Sequence, residues 1–182
     1  MKRYLKDYSV LFGISGLILI LDQITKTWIR SNLAMGEIWS PWDWLTPYAR
    51  IVHWYNTGVA FGLFQGRAII FTILAFLVAV LVIYYYPQVP KEDWYLRLAL
   101  GLQLGGSLGN LTDRLLHNGQ VTDFISVGNF PVFNVADSSI TIGCAVLILG
   151  IWLEERKDKK SSSSKNTDIE LKEVDGLEKL DS

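Results

Sequence analysis

The sequence predicts an all-α membrane protein, built as four transmembrane helices with a small β-containing outer (extracytoplasmic) subdomain. Three observations carry that prediction. Half of the 182 residues are hydrophobic, and mean hydropathy is +0.25. Of the 35 charged residues (17 basic, 18 acidic), sixteen fall in residues 154–182. The remainder of the chain holds four long stretches without charge, as bilayer-spanning segments require.

Those stretches are Tyr8–Leu21 (14 residues), Ala68–Gln88 (21), Leu98–Thr112 (15) and Ser138–Leu153 (16). Only the second clears the roughly 18-residue threshold for a spanning helix unaided. The others reach about 20 residues once Asp22, Arg97 or Asp137 is admitted near an end. Ionisable residues inside a span are costly and are functional candidates by default. Four buried helices of a soluble bundle would show a polar face with a 3.6-residue period. Phe71–Val80 shows none. Lys2, Arg3 and Lys6 precede the first apolar run as they would in a signal peptide. No small-x-small cleavage site follows, so the segment reads as an uncleaved first span.

Composition excludes several classes. The apolar and aromatic content, with seven Trp, is too high for a disordered chain. Cys144 is the only cysteine, which excludes a disulfide scaffold and a Cys-rich zinc module. A net charge of −1 offers no basic excess for nucleic acid.

Four spans place Lys2, Arg3, Lys6, Lys91, Arg97, Arg156, Lys157, Lys159 and Lys160 on one side. Lys26, Arg30, Arg50, Arg67 and Arg114 lie on the other. The positive-inside rule then puts both termini in the cytoplasm. Residues 1–153 form the membrane domain, with outer loops at about 29–67 and 113–137, and residues 154–182 read as a disordered cytoplasmic tail. Trp28, Trp39, Trp42, Trp44, Trp54, Trp94 and Trp152 sit near span ends or in the first outer loop, as an interfacial belt does. Arg50–Tyr55 has strand composition, so that loop is expected to lie on the membrane surface with some strand in it. Gly101, Gly105 and Gly109, four apart, mark a helix-packing face on the third span.

Polar residues gather on the outer side: Asp22, Asn56-Thr57-Gly58, Asn110, Asp113-Arg114, Asp123, Asn134 and Asp137. Groups at that depth need partners, so they are expected to face one another inside the bundle. Cys144 sits mid-span and reads as a small hydrophobe. His53 and His117, in separate loops, make a weak metal site. Carboxylates remain as candidate acid and base. Two held close share a proton, since both cannot ionise cheaply. The ionised member activates water and the neutral one hydrogen-bonds a scissile carbonyl. Asp137 precedes the fourth span, where the helix dipole favours it as the ionised partner. Each aspartate also has a plainer role: Asp137 as a helix cap, Asp113 as a partner of Arg114.

Gly13-Ile14-Ser15-Gly16 matches the GxSG of intramembrane serine proteases. That chemistry needs a histidine in a neighbouring span, and no predicted span contains one. Two further readings are an ion-coupled membrane protein without enzymatic activity and a metal-dependent lipid phosphotransferase. Ion sites usually lie near the midplane, whereas these residues cluster at one face. A phosphotransferase would hold Mg²⁺ with several of Asp22, Asp113, Asp123 and Asp137.

Five blocks in order resemble the bacterial lipoprotein signal peptidases (signal peptidase II): Asp22–Lys26, Asn56–Gly62, Gly109–Arg114, Val121–Ile125 and Phe130–Ser138. The resemblance covers roughly residues 8–153. It implies an aspartic endopeptidase of the inner (cytoplasmic) membrane with its active site toward the outer face. Such an enzyme cuts prolipoprotein signal peptides just before a diacylglyceryl-modified cysteine. It implies Asp123 and Asp137 as the catalytic pair, supported by Asn56, Gly58, Asn110, Arg114 and Asn134, with Asp22 and Asp113 in family motifs. It implies no metal or organic cofactor, inhibition by globomycin, and a small β-cradle with a surface helix over residues 30–67. Membrane lipids are the expected surroundings, nucleic acid is not a partner, and a monomer is expected. Val59 stands where the family commonly has Ala, and the charged tail is longer than the family leads one to expect.

Overall fold

The computed structural model describes residues 2–58 and 66–178. Val59 and the end of the Asn56–Gly62 motif lie outside the described residues. Four helices, α1 (Lys2–Asn32), α2 (Ala68–Tyr85), α3 (Trp94–Leu116) and α4 (Val135–Glu178), accompany three strands, β1 (Ile38–Trp39), β2 (Ala49–Asn56) and β3 (Val121–Val127). The compact unit Met1–Val146 holds the whole site, and Leu147–Ser182 forms a second unit.

Among the described residues, three helices are long and apolar enough to cross a membrane: Tyr8–Asn32, Ala68–Gln88 and Val135–Arg156. Four were expected, and the third stretch is the one that fails on apolarity. The reason is its position. α3 packs against both α1 and α2, and it buries Gly101, Gly105, Gly106, Ser107, Gly109, Asn110 and Asp113. A helix surrounded by other helices needs small and polar residues on its contact faces rather than lipid-facing ones. α2 is the opposite case. It buries only Ala79 and Val82, while Ile69, Ile73, Phe76 and Tyr84 stand exposed, as suits a helix facing lipid.

Glycine sets the helix spacing. A Cβ at Gly105 would lie 2.7 Å from Ile18 Cβ and 3.0 Å from the Ser15 carbonyl oxygen of α1. One at Gly106 would lie 2.5 Å from the Ala136 carbonyl oxygen of α4. At the end of the bundle away from the sheet, Leu11, Ala79, Val82, Tyr86 and Leu104 form a core shared by α1, α2 and α3. Arg97, the ionisable residue admitted to the third stretch, is structural. Its guanidinium lies 4.4 Å from the Tyr86 ring centroid and donates to the Val89 carbonyl at 3.1 Å.

The sheet is antiparallel in the order β1-β2-β3. The expected strand at Arg50–Tyr55 is β2. Its partner β3 comes from the second outer loop, where no strand was expected. Asn56 pairs with Val121 and Trp54 with Asp123, with a register irregularity between Ile51 and Trp54. Phe124 packs with Ile29 and Leu33, which ties the sheet to the end of α1. Among the described residues the outer loop holds only a 3₁₀ turn, Asp43–Leu45, where a surface helix was expected. From Glu154, where composition reads as a disordered tail, helical backbone continues to Glu178. Lys and Glu are good helix formers, and their charges solvate on a helix as readily as on a coil.

Candidate active site

The site lies where the last turn of α3, the first turn of α4, the C-terminal half of α1 and the paired strands β2 and β3 meet. Asn134 opens it by capping α4. Its side-chain Oδ1 accepts the Asp137 N–H at 2.9 Å, and Asp137 Oδ2 accepts the Asn134 N–H at 3.3 Å. This is a reciprocal capping box, with Asn and Asp in place of the usual Ser/Thr and Glu. It fixes Asp137 at the start of the helix and leaves its Oδ1 free to accept from Asn110 Nδ2 at 2.8 Å.

Asp123, on β3, faces the same cluster and is 2% exposed. It accepts from Asn134 Nδ2 at 2.7 Å and from Asn56 Nδ2 at 3.2 Å. Asn56 reaches it because the β2–β3 register places the two on one face, two residues apart along the ladder. The Asn56 amide is itself held, its Oδ1 accepting the Gly58 N–H at 2.9 Å. Burial pushes the Asp123 carboxyl up to about 7, and the nearby Asp137 charge adds to the rise. The Asn56 and Asn134 hydrogen bonds work against it. A carboxyl so raised still holds a proton for part of the time at neutral pH, beside a second carboxylate.

The other two aspartates share a cation. Lys26, 0% exposed, lies 2.8 Å from Asp22 Oδ2 and 3.4 Å from Asp113 Oδ2. Asp22 also accepts the Ala136 N–H at 2.9 Å. Asp113 accepts the Thr122 N–H at 2.9 Å and lies 3.4 Å from Arg30. Gln23 Nε2 bridges Asp22, Asp113 and the Gly109 carbonyl. Gly109 must be glycine, since a Cβ there would lie 2.6 Å from Asp22 Oδ2. The plain pairing of Asp113 with Arg114 does not occur. The Arg114 guanidinium donates to the Asn110 carbonyl at 3.4 Å and lies 5.8 Å from the Phe71 ring. Among the described residues its Nε has no partner.

All nine candidate residues, Asp22, Asn56, Gly58, Asn110, Asp113, Arg114, Asp123, Asn134 and Asp137, thus meet in one polar network. Sequence reasoning missed the structural weight of Lys26, Gln23, Arg30 and Thr122. The Asp22–Lys26 spacing of four was the available signal, because such pairs meet on one helix face. Among the described residues, no three His, Cys, Asp or Glu side chains are placed to hold a metal ion. Of the two histidines, His53 Nδ1 lies 2.8 Å from the Leu33 carbonyl while its buried Nε2 has no partner among the described residues, and His117 Nδ1 lies 3.8 Å from Asp113. Ser15 is buried on the α1 face against Gly105. Eighteen residues of chain separate it from Leu33, whose carbonyl His53 contacts, about 27 Å along a helix. Cys144 Sγ lies 2.9 Å from Gln103 Nε2, in the α3–α4 contact.

Comparisons with known proteins show the family and the fold. A model of the Signal peptidase (SPase) II family matches residues 14–153. A lipoprotein signal peptidase of Shouchella clausii is 37% identical over 150 residues, covering 80% of this chain and 95% of that protein. One of Staphylococcus carnosus is 35% identical over 155 residues, covering 83% and 95%. A bacterial membrane enzyme solved by the in meso method at 2.3 Å resolution superposes with a TM-score of 0.73 at 29% identity, covering 80% of this chain and 88% of that one. A second, at 1.9 Å, gives 0.69 at 30% identity, covering 78% and 91%. Fold and site together define the class, a membrane-embedded aspartic peptidase. Within that class the chain belongs to the signal peptidase II family.

Proposed function

We propose that Asp123 and Asp137 are the catalytic pair of an endopeptidase that removes the signal peptide from diacylglyceryl-modified prolipoproteins, cutting just before the lipidated cysteine. The observation that carries this reading is the Asn134 side chain, which holds one carboxylate with Nδ2 and caps the helix of the other with Oδ1. A shared proton resides on Asp123, whose carboxyl burial raises to about 7. Asp137 takes a proton from water as the water attacks the scissile carbonyl. Asp123 hydrogen-bonds the carbonyl oxygen, and a proton returns to the departing cysteine nitrogen. Asn56, Asn110 and Asn134 orient the two carboxylates, and Arg114 stands beside them with donor capacity toward the substrate backbone.

The chain spans the inner membrane four times in this reading, with α3 as the third crossing. Its 23 residues cover about 35 Å, enough to span the hydrocarbon core. Both termini are cytoplasmic, because the basic residues crowd the loops and ends on that side. The site then opens at the outer interface, where the acyl chains stay in lipid while the cut site reaches water. The enzyme acts as a monomer among membrane lipids, needs no metal or cofactor, and binds globomycin-type inhibitors. The phosphotransferase reading is weaker, since Lys26 already occupies Asp22 and Asp113. The ion-coupled reading is weaker because the carboxylates gather at one end of the bundle.

The test is cleavage of a diacylglyceryl-modified prolipoprotein peptide by purified protein in detergent, with EDTA present. Wild type should cut before the lipidated cysteine. Asp123→Asn and Asp137→Asn should each lose ~10²-fold or more while remaining inserted and folded. Substantial activity in either variant would sink the dyad, and sensitivity to EDTA would favour metal chemistry.

A further inference from the structure

Lys26 is the one buried cation in the site that no step of the cleavage uses. Its ammonium forms ion pairs with Asp22 Oδ2 at 2.8 Å and Asp113 Oδ2 at 3.4 Å and donates to Asn110 Oδ1 at 3.0 Å. The first two contacts neutralise charge, but both aspartates have other partners. Asp22 accepts from Gln23 and the Ala136 N–H, and Asp113 from Arg30 and the Thr122 N–H. The third contact leads to the reacting carboxylates. Asn110 Oδ1 also accepts from Asn134 Nδ2 at 3.2 Å, and the opposite end of the same amide donates to Asp137 Oδ1 at 2.8 Å.

An amide side chain has one accepting end and one donating end. Turned the other way, Asn110 would set its NH₂ against an ammonium and its oxygen against the Asp137 carboxylate. The Lys26 charge, together with the Asn134 Nδ2 donor, therefore favours the orientation in which Asn110 gives its NH₂ to Asp137. We propose that Lys26 is a positioning residue, which orients the Asn110 amide so that it donates to Asp137 and keeps that carboxylate able to take a proton from water. The inference rests on the peptidase reading above.

The charged and titratable groups facing this chain are Asp22 and Arg30 on α1, Asp113 and Arg114 on α3, Asp123 on β3 and Asp137 on α4. His117 lies at the end of α3. Removing a positive charge from among them disfavours ionised carboxylates, so each ionisation of the dyad should move to higher pH. Lys26 counts among the charges that hold Asp123 down.

Lys26→Met leaves two buried aspartates short of a cation, so the double variant Asp22→Asn with Lys26→Met is measured beside it, together with wild type. Melting temperature reports folding. kcat and KM for the lipopeptide are taken across pH. In the folded double variant, kcat should fall ~10-fold or more with KM within about twofold, and in Lys26→Met, which removes the cation alone, both limbs of the pH profile should shift upward. Wild-type kcat, unmoved limbs, or loss of fold in both variants would make Lys26 structural only and overturn the proposal. Absence of cleavage by folded wild type is a different result, which overturns the peptidase reading and this inference with it.

Discussion

Asn134 and Asp137 cap one another across the first turn of α4, each accepting the other's backbone N–H. The same Asn134 side chain donates to Asp123 at 2.7 Å. A helix start and a pair of carboxylates are thereby built from one residue. Replacing Asn134 with Ala should remove about 1 kcal/mol of capping and lower kcat ~10-fold or more at nearly constant KM. Thermal melting beside steady-state kinetics checks both parts. A variant that melts early yet turns over at the wild-type rate would confine Asn134 to capping.

Asp123 makes stability depend on pH in a stated direction. Its carboxyl rises from 3.8 in the unfolded chain to about 7 in the fold. Between those values the native state holds a proton that the unfolded state has lost, so stability falls as pH rises through the window. The contribution is fully present below pH 3.8 and gone above about 7. Asp123→Asn removes that dependence. The variant should therefore melt above wild type at pH 8, and the gap should shrink or reverse at pH 5. A gap independent of pH would show that Asp123 ionises normally.

Gly109 is the point where α3 approaches the Asp22 carboxylate. A methyl group there meets Asp22 Oδ2 at 2.6 Å and Ala136 Cβ at 3.1 Å. Asp22 cannot swing aside, because Lys26 and the Ala136 N–H hold both of its oxygens. Gly109→Ala should cost ~1–3 kcal/mol, the range for overpacking a tight contact. It should also reduce activity through displaced Asp22. Melting temperature and cleavage rate measured together check this, and an unchanged melting temperature would mean the helices part without cost.

Ser15 and Cys144 lie at helix contacts and, among the described residues, make no hydrogen bond to Asp123 or Asp137. Ser15 is buried at the α1–α3 contact, and Cys144 accepts from Gln103 between α3 and α4. Ser15→Ala and Cys144→Ala should keep cleavage within about twofold of wild type. Loss of activity in a folded Ser15→Ala protein would revive a serine mechanism.

Much of this was legible from residues alone, and the reason is locality. Charge-free runs mark α2 and the cores of α1 and α4, because bilayer insertion depends on each segment's own hydropathy. The strand at Arg50–Tyr55 showed in its β-branched and aromatic composition. The nine candidate residues could be named because they sit in short motifs, and the chain's likeness to signal peptidase II rests on those motifs. Contacts between distant segments were not legible. Nothing in Val121–Val127 alone announces pairing with β2, some 65 residues earlier. α3 looked like the other spans until its place among α1, α2 and α4 explained its glycines and amides. Residue chemistry alone left four aspartates as candidates, and only the likeness to signal peptidase II singled out Asp123 and Asp137. Tertiary structure divided the four, giving Asp22 and Asp113 to a buried lysine and joining Asp123 and Asp137 through Asn134, with Asn110 on Asp137. A carboxylate's role follows from the charges and donors within a few ångströms of it, and folding alone determines which those are.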